Sequence, residues 1–296
     1  MPSKWDLKCN RCLHCDGFGC PNMLPGLGGV YDGKNFQLNY EGWRTIRKDA
    51  EENNILDDIL NIKVSPANIG CGPVTGAVEN IGYSNEEDFY YPYVSNADNA
   101  GFQVCIGDGC PDEKLKLGIE AVKKLSSGNK AAFFLKPYPE KQLNERVEWV
   151  KPYASYIGID IDSYNIVTMR NLVNLEKKDA KQLEAFRKYS MLPFIIKGIF
   201  TEEDIELVKE VKPDVVYISN HGGRVETRIG STADFLVKYG RLLKNYCKEL
   251  WIDGGIRTKK DIQTALYYGA DKAILARPFV IATFDNEYSN IVKELI

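Results

Sequence analysis

The densest group of residues able to do chemistry in this chain is Ser219-Asn220-His221-Gly222-Gly223-Arg224. A neutral imidazole takes up a proton near pH 7, and the guanidinium of Arg224 presents a fork of donors that matches a carboxylate. The paired glycines let the backbone approach a flat ligand closely. The chain has two histidines, and this one follows an apolar run and sits beside an arginine, which favours a functional role over a structural histidine in a glycine turn. Two further segments, Asp253-Gly254-Gly255-Ile256-Arg257 and Ala276-Arg277-Pro278, also follow apolar runs. Backbone N–H groups at a glycine pair, a helix N-terminus and two arginines suit a phosphate group. Lys197 closes the apolar run Ile195-Ile196-Lys197-Gly198. An ammonium there either snorkels to water or meets an anion.

Near the N-terminus Cys9, Cys12, Cys15 and Cys20 follow the spacing C-x2-C-x2-C-x4-C, with Pro21 next. Such spacing can gather four thiolates around one zinc ion or an iron–sulfur cluster, and His14 could replace one ligand. The alternative is a set of reduced thiols in a compact arm. The other four cysteines, Cys71, Cys105, Cys110 and Cys247, are scattered.

The elements that must position these groups can be read from the apolar rhythm. From residue 60 onward, short runs rich in Val, Ile and aromatics alternate with longer amphipathic stretches, the pattern of repeated βα units. Eight such runs begin at Val64, Phe102, Ala131, Tyr156, Pro193, Val215, Leu250 and Lys272. Eight is the number of strands that closes a barrel with a side-chain-filled interior, so the expected fold is a (β/α)8 TIM barrel, with a doubly wound sheet as the alternative. In a barrel the residues just past the strand ends converge on one face, and the polar residues sit there: Asn68, Asp108, Lys136, Asp160, Asp162, Lys197, Asn220, His221, Asp253 and Arg277. Thr201 followed by Asp204 marks a helix start. Residues 1–60 stand outside the repeat as a Cys- and Gly-rich arm with a charged helical stretch from about Gly42 to Leu60, expected to pack across the barrel or its mouth. Residues 61–296 form the barrel domain.

Composition narrows the partners. The 41 acidic and 38 basic side chains nearly cancel, at a formal net charge of −3, and are interspersed along the chain. No basic face exists for nucleic acid or an anionic membrane. No run reaches the ~18 apolar residues of a spanning helix, and the N-terminus lacks a secretory pattern, so the chain reads as cytoplasmic.

The segments IIKGIF, SNHGGR, DGGIR and ARPF, in this order and at these strand ends, resemble the FMN-dependent L-2-hydroxy acid oxidase and dehydrogenase family over about residues 60–285. The resemblance implies FMN as cofactor and a small carboxylate as substrate. It makes His221 the active-site base, Arg224 the carboxylate anchor and Asp162, in Asp160-Ile161-Asp162, the residue that orients the histidine. Lys197 is implied to lie against the flavin. Asp253, Gly254, Gly255 and Arg257, with Ala276 and Arg277, are implied to hold its ribityl and phosphate groups, Ser219 lying close by. Pro66-Ala67-Asn68 is matched to the segment along the flavin ring, Asp160 to a flavin-contacting threonine, and Lys136 is placed with the cofactor-binding residues.

Three features depart from that pattern. Strand three ends in Phe134-Leu135-Lys136, where the family has a Gln-Leu-Tyr whose tyrosine touches substrate. A second substrate arginine has no clear match, although Arg170 is near in sequence. The chain also lacks a long final helix. The expected function is oxidation of a small L-2-hydroxy acid to the 2-oxo acid. The alternatives are an FMN barrel isomerase or reductase acting on another substrate, or a catalytically silent flavin- or metal-binding module. A homo-oligomer, a tetramer by resemblance, is expected.

Overall fold

The structure, a computed structural model, describes residues 34–81, 83–166, 173–225 and 227–296. Cys9, Cys12, Cys15 and Cys20, with His14, and Arg170 lie outside the described residues.

Eight short parallel strands form one sheet: β1 Ile69–Cys71, β2 Cys105–Gly107, β3 Ala131–Leu135, β4 Ala154–Asp160, β5 Phe194–Ile199, β6 Val215–Ile218, β7 Glu249–Ile252 and β8 Lys272–Leu275. From β2 to β8 each strand pairs with its sequence neighbours, and β1 pairs with β8. The remaining seam, between β1 and β2, is closed by a parallel bridge from Gly70 to Gln103 and by the hydrogen bonds Cys71 N to Gln103 O and Gln103 N to Ile69 O, both 2.9 Å. The expected (β/α)8 barrel is thus what the chain forms.

Strand alternation explains both its stability and its chemistry. Phe133, Leu135, Ile157, Ile159, Ile196, Val216, Ile218, Leu250 and Ile252 point outward into the large core shared with the helices. Ala132, Phe134, Ile195, Val215, Tyr217, Trp251 and Ile274 point inward and fill the barrel, with Phe134, Tyr217 and Trp251 in edge-to-face contacts 5.5–6.1 Å apart. Gly158 makes room for Phe134, since a Cβ there would lie 2.9 Å from its ring. The next inward positions along the strands are Lys136, Asp160, Lys197, Ser219, Asp253 and Ala276, so period two alone delivers them to the top of the filled interior.

Three Ser/Thr-x-x-Asp capping boxes, Thr201–Asp204, Ser231–Asp234 and Thr258–Asp261, start the helices that follow β5, β6 and β7 and so limit how far those loops run. The first strand differs from the expected one. Pro66–Asn68 forms a 3-10 turn and β1 begins only at Ile69, because Pro66 starts the turn and Asn68 caps back onto Ser65. The helical stretch before the barrel begins earlier than Gly42: α1 runs Lys34–Glu52, and a short helix follows at Leu56–Leu60. Gly42 lies inside α1 where a Cβ would meet Ser231 Oγ at 2.6 Å, which lets the helix lie directly on the loops after β6 and β7. After β8 come two short helices, Arg277–Asp285 and Tyr288–Leu295. No described helix is long and apolar enough to cross a membrane.

Candidate active site

A cavity opens above the C-terminal ends of the strands. On one side stands His221, in a left-handed backbone conformation (φ 53°) that turns its ring toward the cavity. Nδ1 lies 2.9 Å from Asp162 Oδ2, a bond that leaves Nε2 as the atom facing Asp160, whose Oδ2 is 3.4 Å away, beyond the usual N–H···O range. Gly198 makes this arrangement fit: at φ 101° it has no Cβ, and one would collide with the Asp162 carboxyl carbon at 2.4 Å. Burial works against a charged imidazole, but Asp162 and Asp160 outweigh it and raise the His221 pKa above its ordinary value.

Asp160 and Lys197 sit opposite each other in the β4–β5 register and pair at 2.9 Å. Lys197 is 2% exposed. Burial disfavours its charge, but Asp160, Asp162 and Asp253 hold it protonated, and the lysine together with His221 keeps Asp160 ionised well below the usual carboxylate range. Ser219 lies beneath them, donating to Asp253 Oδ2 at 3.0 Å and accepting from His221 N at 3.2 Å. It therefore ties the loop after β6 to that after β7.

The wall from β6 to β8 combines glycines with arginines. Gly222, Gly254, Gly255 and Ala276 line it with Arg224, Arg257 and Arg277, and the helix Arg277–Asp285 starts there with Pro278 in its first turn. Helix α1 presses on these loops: a Cβ on Gly255 would lie 1.8 Å from Asn39 O, and one on Gly223 would lie 2.4 Å from Phe36 N. Asn39 exchanges hydrogen bonds with Asn220 at 2.7 and 3.2 Å and accepts from Thr232 N at 3.0 Å, while Trp43 Nε1 donates to Gly254 O at 2.8 Å.

The wall from β2 to β4 is made of charged side chains. Asp108 Oδ2 accepts from the Lys136 backbone N at 3.3 Å and from Arg146 Nε at 3.0 Å, and Arg146 also reaches Asp112 and lies over the Tyr138 ring at 4.2 Å. Burial pushes the Asp108 carboxyl up to about 6 despite Lys136 and Arg146.

Of the residues singled out in the sequence, Lys136, Asp160, Lys197, His221, Arg224, Asp253, Gly254, Gly255, Arg257, Ala276 and Arg277 line one cavity. Asp162 and Ser219 stand directly behind it. Pro66, Ala67 and Asn68 do not belong there and are corrected: Asn68 Nδ2 bonds Asp271 O and Lys272 Nζ bonds Ala67 O, which fixes them at the opposite, N-terminal end of β8. The segment that does follow β1 into the cavity is Gly72-Pro73-Val74-Thr75. Sequence reasoning also missed Phe36 and Asn39. Their signal was two asparagines, Asn35 and Asn39, on the buried stripe of an otherwise charged helix.

The model of the FMN-dependent dehydrogenase family matches residues 117–288. The chain belongs to this family. Over 100 residues it is 36% identical to bovine 2-hydroxyacid oxidase 2, and over 102 residues 39% identical to an L-lactate dehydrogenase of Vibrio parahaemolyticus. Each match covers 34% of this chain, and 28% and 27% of the relatives, so the matched part spans little more than a quarter of either. Among solved structures, a lactate oxidase of Pediococcus acidilactici superposes with a TM-score of 0.67 at 16% identity, over 90% of this chain and 81% of that one. A flavocytochrome b2 variant superposes with a TM-score of 0.68 at 20% identity, over 90% of this chain and 74% of that one. Both likenesses concern the fold.

The residues present fit the FMN that gives this family its name. The donor set at the ends of β7 and β8, two guanidiniums, a helix N-terminus and a glycine pair, has the chemistry of a phosphate grip. At Gly222 (φ 64°) the cavity wall has open space where a Cβ would stand. Deeper in, Lys197 supplies a fixed buried cation.

Proposed function

We propose that this protein is an FMN-dependent oxidoreductase that oxidises a small L-2-hydroxy acid to the 2-oxo acid. The observation that carries the reading is the histidine. His221 is oriented through Nδ1 by Asp162 at 2.9 Å, and Nε2 faces the cavity that Arg224 and Lys197 also line. In this reading Arg224 binds the substrate carboxylate and His221 Nε2 takes the proton released on oxidation, with Asp162 stabilising the imidazolium. Gly254, Gly255, Arg257, Ala276 and Arg277 hold the phosphate end of FMN, and Lys197 lies beside its ring. FMN, when bound, accepts the two electrons.

The surroundings of His221 favour one competing reading. Two carboxylates face the ring, Asp162 at 2.9 Å and Asp160 at 3.4 Å, and they favour its protonated form. That suits delivery of a proton to a substrate being reduced, the reductase alternative.

The deciding experiment is an absorption spectrum of anaerobically purified protein before and after addition of L-lactate, glycolate and longer 2-hydroxy acids. Flavin bands that bleach support oxidation. Bands that ignore every 2-hydroxy acid overturn that chemistry and leave reduction. Failure to take up FMN on reconstitution overturns the cofactor assignment as well. Zinc and iron analysis of the same sample tests the proposal that Cys9, Cys12, Cys15 and Cys20 hold a metal, and light scattering tests the tetramer.

A further inference from the structure

At the end of β3, Lys136 is buried to 6% exposure and lines the cavity. Its ammonium makes no hydrogen bond or ion pair among the described residues. Its two acidic neighbours are already engaged: Asp108 is held by Arg146 at 3.0 Å and Asp160 by Lys197 at 2.9 Å. Asp108 and Asp160 act on this charge only from beyond ion-pair distance, and a desolvated cation with no hydrogen-bonded partner is costly, so its position makes sense when an anion enters the cavity.

The barrel topology says which anion. In the order β7-β6-β5-β4-β3, Lys136 on β3 is four strands from the glycine pair after β7, half the circumference of an eight-stranded barrel. It therefore faces the side away from the phosphate grip, with His221 and Arg224 on the loop after β6 lying between. An anion meeting Lys136 is on the substrate side of the site.

Building on the proposed function, we infer that Lys136 is a specificity-determining residue that binds a second carboxylate, so that the substrate is a 2-hydroxy dicarboxylate rather than lactate or glycolate. Arg224 takes the carboxylate next to the hydroxyl, and Lys136 takes the one at the far end of the side chain. Five cationic side chains line the cavity against three carboxylates, an excess that accommodates both a phosphate and a doubly charged substrate.

The test is calorimetric titration of the oxidised, FMN-loaded protein, which does not turn over a 2-oxo acid, with 2-oxopentanedioate and 2-oxopentanoate. The wild type is expected to bind the dicarboxylate about 10–100-fold more tightly, the range of a lost charge-assisted hydrogen bond. Lys136→Met should abolish the preference and Lys136→Arg should keep most of it. Equal affinities in the wild type, or a preference that survives Lys136→Met, would overturn the proposal. So would a Lys136→Met protein that loses FMN affinity by the same factor while its selectivity stays, since Lys136 would then serve the cofactor. Flavin bleaching separates this from the parent reading: bleaching by lactate without a dicarboxylate preference sinks the subsite alone, and a dicarboxylate preference without bleaching by any 2-hydroxy acid sinks the redox chemistry alone.

Discussion

From β6 to β8 the cavity wall is glycine-rich, with Gly222, Gly254, Gly255 and Ala276 between three arginines and α1 pressed against the loops. From β2 to β4 it is mostly side chain, with Asp108, Lys136 and Asp160 entering from successive strands and Arg146 closing behind them. A glycine-rich wall suits a phosphate and a flat ring, and it tolerates little change at Gly254 and Gly255, where a Cβ would meet Thr232 and Asn39. A wall of side chains can change its charge pattern one residue at a time, at a cost in stability where the residue is half of a buried pair. In the proposed reading, recognition of the cofactor and choice of substrate fall to opposite arcs of the same ring.

The largest effect should come from the residue at which the two arcs meet. His221→Asn removes the base while leaving the glycine-rich wall intact, and kcat on the best 2-hydroxy acid is expected to fall about 10²–10⁴-fold with the flavin spectrum retained. A loss smaller than tenfold would remove His221 from the proton transfer. Next is the buried pair of the side-chain arc. Arg146→Met leaves the Asp108 carboxylate without its hydrogen-bonded cation, and chemical denaturation at pH 8 should show a loss of about 3 kcal/mol, the low end for a broken buried pair because Lys136 stays near. The loss should shrink toward pH 5, where Asp108 takes up a proton. A loss that ignores pH would mean that the packing of Arg146 on Tyr138, rather than its charge, stabilises this arc.

The same division decides what the sequence disclosed. The glycine-rich arc was legible in SNHGGR, DGGIR and ARPF, because a loop that needs glycines at positive φ beside arginines leaves a compact local signature. The barrel was legible for a related reason: short apolar runs recur eight times between amphipathic stretches, and each run is a local signal. The first strand was misplaced because Val64, Ala67 and Ile69 look alike as apolar residues, while the turn starting at Pro66 depends on a cap from Asn68 to Ser65. A strand read from Val64 puts Pro66–Asn68 at the wrong end of the barrel and hides Gly72–Thr75, which lines the cavity. Contacts between segments distant in the chain left no local trace at all. Asn39 against Asn220 and Gly255, Gly198 against Asp162, and Arg146 against Asp108 are all of this kind.

A milder change sharpens the contrast from the glycine-rich side. Gly255→Ala places a methyl group 1.8 Å from Asn39 O at a φ of 75°, so α1 must shift away from the loop. A destabilisation of about 1–3 kcal/mol is expected by thermal or chemical denaturation, accompanied by weaker FMN binding in fluorescence titration. The substrate preference should be untouched, because Lys136 lies half the ring away. If selectivity between mono- and dicarboxylates changed together with FMN affinity, the two arcs would not be independent.

The smallest effect is a matter of pH. Burial lowers the His221 pKa, but Asp162 and Asp160 override it, so the folded-state value lies above the ordinary 6.5. A base must be neutral to act, so kcat/KM for oxidation should climb about tenfold per unit below that raised value and level off above it. For stability the sign is the reverse: the protonated ring is favoured in the folded state, so this contribution is complete below 6.5 and is lost as pH rises through the folded value. Asp160→Asn removes one of the two carboxylates and should move the rising limb toward lower pH, while Asp162 still orients the ring. An unmoved limb would assign the titration to another group. A rate that falls with pH across the same range would instead mark His221 as a proton donor, and would turn the proposed direction of the reaction around.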